Sequence, residues 1–170
     1  MRTYVGVDPG KTGCMAVIRS EELFEKIQSP LIVFWDAEDL SLRIVSENLQ
    51  LWQGNIFVLL EKPQVMPKRK QWVGGELVEK EVGQGAVGML HYGIGYGKYL
   101  GMLEALKIPY GEIHPMSWKK EFMLIKQPKE RSIEVARQLF PSAAERLTRK
   151  KDHGRAEALL IAEYARRRNM

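Results

Sequence analysis

Residues 3–19 read Thr-Tyr-Val-Gly-Val-Asp-Pro-Gly-Lys-Thr-Gly-Cys-Met-Ala-Val-Ile-Arg. Two apolar runs, 3–8 and 14–19, flank a Pro-Gly turn, a pattern that predicts a β-hairpin. Asp8 closes the first run. A carboxylate at the mouth of a strand is poor core material but good material for holding a divalent cation. The arrangement recurs at Glu61, which ends the run Ile56-Phe57-Val58-Leu59-Leu60 and is followed by Lys62-Pro63. Farther along, Asp152 and Glu157 flank the start of an apolar helix, Ala156 to Ala165. Several such carboxylates in a basic chain point to metal-assisted chemistry on a phosphate backbone.

Outward from the hairpin, Ile27 to Trp35 is β-branched and aromatic, which predicts a third strand. Leu40, Ile44, Val45, Leu49 and Leu51 recur at helical spacing over 36–51. The continuous run 56–60 suits a strand buried on both faces of a mixed sheet. Residues 62–85 are rich in charge and glycine with no sustained period, and their first half reads as a mobile loop. Residues 86–106 predict a long helix despite Gly88, Gly93, Gly95, Gly97 and Gly101, each costing about 1 kcal/mol against alanine. Gly93, Gly97 and Gly101 share one face, read as tight packing on the sheet, with a helix–helix dimer seam as the alternative. A brief strand over 109–113, a short helix over 117–125, a helix opened by Pro128 and closed by Pro141, and a last helix from about Gly154 complete the chain. The order argues for an α/β fold with a mixed sheet.

At 170 residues the chain suits one domain, 1–170, and is too short for two ordinary ones. A net charge of +5 and a pI near 9.3 favour an anionic partner, nucleic acid ahead of a membrane surface. No stretch approaches the roughly 20 apolar residues of a membrane span. The strand pattern from residue 3 leaves no room for a signal peptide. A single cysteine, Cys14, excludes an internal disulfide and a cysteine-based zinc site. A reducing, cytoplasmic setting is expected.

Two apparent motifs fail on context. Gly6–Thr12 nearly spells a phosphate-binding loop, but its glycines are one residue too close and a strand pattern follows where a helix must start. Gly83-Gln84-Gly85-Ala86-Val87-Gly88 matches a dinucleotide fingerprint in letters, yet the stretch before it is charged. Each acid alone has an ordinary explanation: turn chemistry for Asp8, a strand end for Glu61, an N-cap for Asp152, a solvated or arginine-paired helix residue for Glu157. Their joint arrangement is what matters, because clustered carboxylates repel unless a cation sits among them. Lys62, Lys68, Arg69 and Lys70, ending at Trp72, form a basic segment directly after Glu61, suited to binding phosphates and stacking on a base.

Five blocks carry a resemblance: GVDPGKTG around Asp8 and Lys11, VLLEKP around Glu61, QGAVGMLHYGIGYGKYLGMLEAL, IPYGEIHPMSWKK, and DHGRAEALLIAEYA. In order and over nearly the whole chain, they resemble the RuvC family of Holliday-junction resolvases, most closely its short phage- and prophage-type members. The resemblance implies an RNase H-like fold: a mixed five-stranded sheet, three antiparallel then two parallel strands, flanked by helices. It implies a homodimer that cuts four-way DNA junctions with Mg²⁺ or Mn²⁺ in a bacterial cell. Asp8 is implied as the carboxylate bridging two metals, Glu61 as its neighbour, and Glu157 as the last-helix acid. The remaining ligand is expected to be Asp152, free to swing inward from a loop if the helix begins only at Gly154; His153, which shares a helical face with Glu157, is the alternative ligand or proton carrier. Lys119 and Lys120 fall where the resemblance places backbone-contacting lysines.

The reaction so implied is phosphodiester hydrolysis with two cations roughly 3.5–4 Å apart. An all-oxygen site suits Mg²⁺. No protein nucleophile is required, in keeping with the lack of a credible Ser/His or Cys/His pair. The alternatives are a nuclease of the same fold acting on flaps, forks or RNA–DNA hybrids, and a non-catalytic nucleic-acid-binding module with structural acids.

Overall fold

A computed structural model describes residues 2–19, 31–37, 42–51, 54–63, 69–80 and 86–170. Its centre is a five-stranded sheet in the order β3-β2-β1-β4-β7. The strands are β1 (Thr3–Asp8), β2 (Cys14–Arg19), β3 (Leu31–Asp36), β4 (Ile56–Glu61) and β7 (Tyr110–Ile113). β1–β2 and β2–β3 are antiparallel, β1–β4 and β4–β7 parallel. The anticipated three-plus-two sheet is present. Val7 pairs with Leu60, so Asp8 and Glu61 leave neighbouring parallel strands at the same edge. The turn between β1 and β2 closes through a hydrogen bond from the Gly13 N–H to the Gly10 carbonyl, 2.9 Å.

Strand side chains alternate between two cores, which is why the central strands read as unbroken apolar runs. Val5, Val7, Met15, Val17, Val58 and Leu60 face one core, shared with α1 (Leu42–Leu51) and α2 (Ala86–Ala105). Tyr4, Cys14, Ala16, Ile18 and Leu59 face the other, shared with α3 (Pro115–Glu121), α4 (Glu130–Leu139) and α5 (His153–Arg167). The parity puts Asp8, two residues beyond Gly6, and Glu61, two beyond Leu59, on the α5 side. α5 is buried from Ala156 to Ala165, as befits a helix that is apolar nearly all round. No helix among the described residues is long and apolar enough to cross a membrane.

α5 rests on β1 almost backbone to backbone. A Cβ at Gly6 would lie 2.1 Å from the Ala158 carbonyl oxygen, and one at Gly154 would lie 1.9 Å from that of Thr12. Only glycine permits either approach.

Two readings of the sequence need revision. Gly93, Gly97 and Gly101 do not pack on the sheet: they are exposed, and a Cβ at any of them would meet nothing within 4 Å. The sheet side of α2 is taken by Tyr99, Met102 and Leu103. Within 62–85, residues 69–80 form a second, two-stranded antiparallel sheet, β5 (Arg69–Val73) and β6 (Glu76–Lys80). Gly74 and Gly75, both at positive φ, make its turn, a Gly-Gly hairpin signal obscured by the surrounding charge. The third strand begins at Leu31; residues 27–30, like the presumed loop over 64–68, lie outside the described residues.

Gly6→Ala should cost at least about 3 kcal/mol in urea unfolding, since the added methyl forces α5 off the sheet. A cost below about 1 kcal/mol would contradict the packing of α5 on β1.

Candidate active site

At the edge where β1 and β4 end, Asp8 is partly buried and its Oδ1 accepts a hydrogen bond from the Gly10 N–H, 3.0 Å. The Asp-Pro-Gly turn thus fixes the carboxylate it follows. Burial, with the negative charge of Glu157, pushes the Asp8 carboxyl up to about 6, against the pull of the Gly10 N–H, Lys119 and His153.

Glu61 is buried, and its Oε2 accepts a hydrogen bond of 2.7 Å from Nε1 of Trp118. Trp118 comes from α3 and is wholly buried, so its indole N–H needs an acceptor. Burial and the charge of Asp8 push the Glu61 carboxyl up to about 8, although Lys119 and the Trp118 bond oppose the shift.

Glu157, in the first turns of α5, accepts from Lys119 Nζ at 3.3 and 3.5 Å. The same ammonium lies 5.0 Å from the Trp118 ring centroid, a cation–π contact. Tyr92, from α2, roofs the group: burial and then the charges of Glu61, Asp8 and Glu157 raise its phenol well above the ordinary value. Its ring edge lies 3.9 Å from where a Cβ on Gly10 would sit.

Asp8, Glu61 and Glu157 therefore act on one another electrostatically from three elements. Among the described residues no three His, Cys, Asp or Glu side chains form a preformed metal cage. The reason is visible in their partners: Trp118 holds Glu61 and Lys119 holds Glu157. The donor chemistry nevertheless suits a hard divalent cation. All three donors are carboxylates, and two are pushed toward their neutral forms by burial and mutual repulsion, a strain that bound positive charge relieves.

Of the two remaining candidates, His153 is the one whose charge acts on Asp8; its Nδ1 lies 3.1 Å from the Lys150 carbonyl oxygen. Asp152 does not swing inward from a loop as expected. It ends a 3₁₀ turn and accepts from the Arg149 backbone N–H at 2.7 Å and from Arg149 Nη2 at 2.8 Å. Burial would raise its carboxyl, but Arg149 outweighs burial and holds it below the ordinary value. It lines a separate cleft with Thr12, Asp36 and Arg155, the last two joined by a paired ionic contact.

The anticipated basic residues divide. Lys119 belongs to the acidic cluster itself, whereas Lys11 and Lys120 are exposed. Lys62 pairs with Glu112 at 3.2 Å. Lys68 lies outside the described residues; Arg69, Lys70 and Trp72 are in β5. The sequence reading passed over Trp118 and Tyr92. A tryptophan in a short helix directly before two lysines was the available signal for the first; nothing local marked the second.

No family model matches the chain. A segment of 70 residues is 40% identical to "Holliday junction resolvase MOC1, chloroplastic" from Chlamydomonas reinhardtii, covering 41% of this chain and 8% of that protein's length. Among solved structures, T. thermophilus RuvC in complex with a Holliday junction substrate matches with a TM-score of 0.57 and 14% identity, over 98% of this chain and 96% of that one. Thermus thermophilus RuvC matches with a TM-score of 0.58 and 17% identity over the same shares. The fold is thus RNase H-like, with the acidic cluster just described at one edge of its sheet. The chain shares the fold of these two RuvC structures over nearly its whole length.

With divalent metal chelated, thermal stability should fall as pH rises from about 4.5 toward 8. Glu61 has an ordinary value of 4.5 and a folded value of about 8; for Asp8 the pair is 3.8 and about 6. Each folded acid holds its proton more tightly than the unfolded chain does. Its stabilisation is therefore complete below the ordinary value and is lost as pH passes the folded one. Glu61→Gln should flatten the upper part of this descent; a melting profile that keeps its slope in the variant would contradict the burial of Glu61 beside Asp8.

Proposed function

We propose that the chain is a structure-selective DNA endonuclease that resolves four-way junctions by divalent-metal-dependent phosphodiester hydrolysis, as one nuclease domain spanning 1–170. The observation that carries this reading is the meeting of Asp8, Glu61 and Glu157 beside Lys119 at one sheet edge. The printed descriptions of the similar proteins, a Holliday junction resolvase and RuvC bound to a Holliday junction, support the choice of substrate.

Asp8, Glu61 and Glu157 would hold the cation, with His153 the better-placed candidate for a further ligand or proton carrier and Asp152 engaged by Arg149. Mg²⁺ suits this oxygen donor set, and Mn²⁺ should substitute. When bound, the metal supplies Lewis-acid activation of water and neutralises charge at the departing 3′-oxygen. The protein's own part is positioning. The Gly10 N–H fixes Asp8. The Trp118 indole orients Glu61. Lys119, held between Trp118 and Glu157, is placed to exchange that carboxylate for a substrate phosphate. Lys11, Lys62, Lys68, Arg69, Lys70, Trp72 and Lys120 are assigned to the DNA backbone and to unpaired bases.

A homodimer fits a junction with near two-fold symmetry, one site for each of two opposed strands. Its seam is assigned to α2, where Val87, Leu90 and Ile94 are exposed and continue into the open positions Gly97 and Gly101. These five alternate at spacings of three and four, the spacing of a helix-pair seam.

Three outcomes are expected. In the presence of Mg²⁺ the protein should cut a labelled four-way junction in preference to flap, RNA–DNA hybrid and plain duplex. Asp8→Asn and Glu61→Gln should each lose at least about a hundredfold in rate while still binding the junction. Equal cutting of duplex, or activity retained in both variants, would overturn the reading. Ile94→Glu should convert a dimer to a monomer in sedimentation; an unchanged dimer at micromolar concentration would remove α2 from the interface.

A further inference from the structure

α3 ends in a left-handed closure that is ordinarily the place of glycine. The Leu124 N–H donates to the Lys119 carbonyl at 2.8 Å and the Met123 N–H to that of Lys120 at 3.2 Å. This is the paired bonding of a Schellman cap. The residue at its left-handed position is Met123, with φ 54°. Only glycine, and less readily asparagine, takes this conformation without steric cost. Its side chain is 83% exposed. Met123 therefore bears a backbone penalty and offers an apolar chain to water, and the isolated protein gains from neither.

The turn presents this side chain on a firm base. Leu124 and Phe122, on either side, are both buried in the α5-side core. Gln127 N–H donates to the Leu124 carbonyl at 3.2 Å, and Lys126 takes a second left-handed conformation at φ 61°. Met116, 53% exposed, and Lys120 are four apart on one face of α3, and Met123 follows just past its C-terminal end. Lys120, Lys126 and Lys129, all close to Met123 in the sequence, are exposed. The acid of the same helix, Glu121, is engaged by Arg168. Trp118 and Lys119 of the same helix reach the carboxylate cluster.

We propose that Met123 is an apolar wedge that enters the base stack of the DNA substrate beside the cut site, while Lys120 and Lys126 hold the flanking phosphates. This rests on the nuclease reading above. An exposed apolar tip in a lysine-rich segment matches a nucleic acid, whose phosphates surround an apolar stack of bases. A methionine is long, unbranched and able to adapt between base pairs. Because the tip closes the short helix that carries Lys119, insertion of the wedge sets the register of the strand across Asp8 and Glu61.

The test compares the full-length wild type with Met123→Gly, Met123→Asn and Met123→Leu. Binding and cleavage use four-way junctions in which 2-aminopurine replaces single bases stepwise from the branch point. Glycine removes both the penalty and the wedge, so Met123→Gly should melt at the same temperature or higher, yet bind the junction roughly tenfold more weakly. The fluorescence rise that reports an unstacked base in the wild-type complex should vanish. Met123→Asn should behave like the glycine variant, and Met123→Leu should restore binding to within about twofold. Unchanged affinity and fluorescence in Met123→Gly, with normal wild-type cutting, would overturn the wedge alone. A Met123→Gly protein that loses its oligomeric state would equally overturn it, since the partner is then a second copy. A wild type that neither binds nor cuts branched DNA removes the nuclease reading, and the wedge with it.

Discussion

The close approach of α5 to β1 at Gly6, and to the turn after β1 at Gly154, is the constraint on which the site depends. Acids at the ends of β1 and β4 are brought together by parallel pairing alone. Glu157 joins them only because its helix lies against the sheet with no side chain between the backbones. A methyl group at either glycine would move the helix, and Glu157 with it, away from Asp8. The two glycines thus set the geometry of the acidic cluster although neither carries a functional group.

The acids are under electrostatic strain that the protein only partly relieves. Burial and mutual repulsion raise Asp8 and Glu61, while Trp118 donates to Glu61 and Lys119 compensates Glu157. α3 therefore works as a counterweight: one seven-residue helix supplies both the hydrogen bond and the ammonium that steady the cluster. Removing one partner of a buried charged pair leaves the other exposed to the full desolvation cost. Such a site is poised to exchange its internal cation for an external one, or its internal carboxylate for a phosphate.

Much of this was legible in the sequence, for definite reasons. The strand–turn–strand pattern at 3–19 and the run 56–60 carry their own periodicity, and each ends in an acid that a core would not tolerate. Parallel pairing, once inferred, fixes Asp8 beside Glu61. What escaped depends on contacts between distant elements. Trp118 lies 57 positions from Glu61, and nothing local says which acceptor its indole will find. The loss of Asp152 to Arg149 depends on a 3₁₀ turn only three residues long, which has no pattern to read. The glycines of α2 misled in the other direction, because spacing shows that they share a face but not whether that face is covered.

The central claim is that Asp8, Glu61 and Glu157 form a single cation site. Anomalous diffraction from crystals grown with Mn²⁺ tests it most directly. The account predicts a peak within coordination distance, roughly 2–2.5 Å, of Asp8 and at least one of the two glutamates. A well-occupied Mn²⁺ bound elsewhere, with Glu61 still bonded to Trp118 and Glu157 to Lys119, would contradict it.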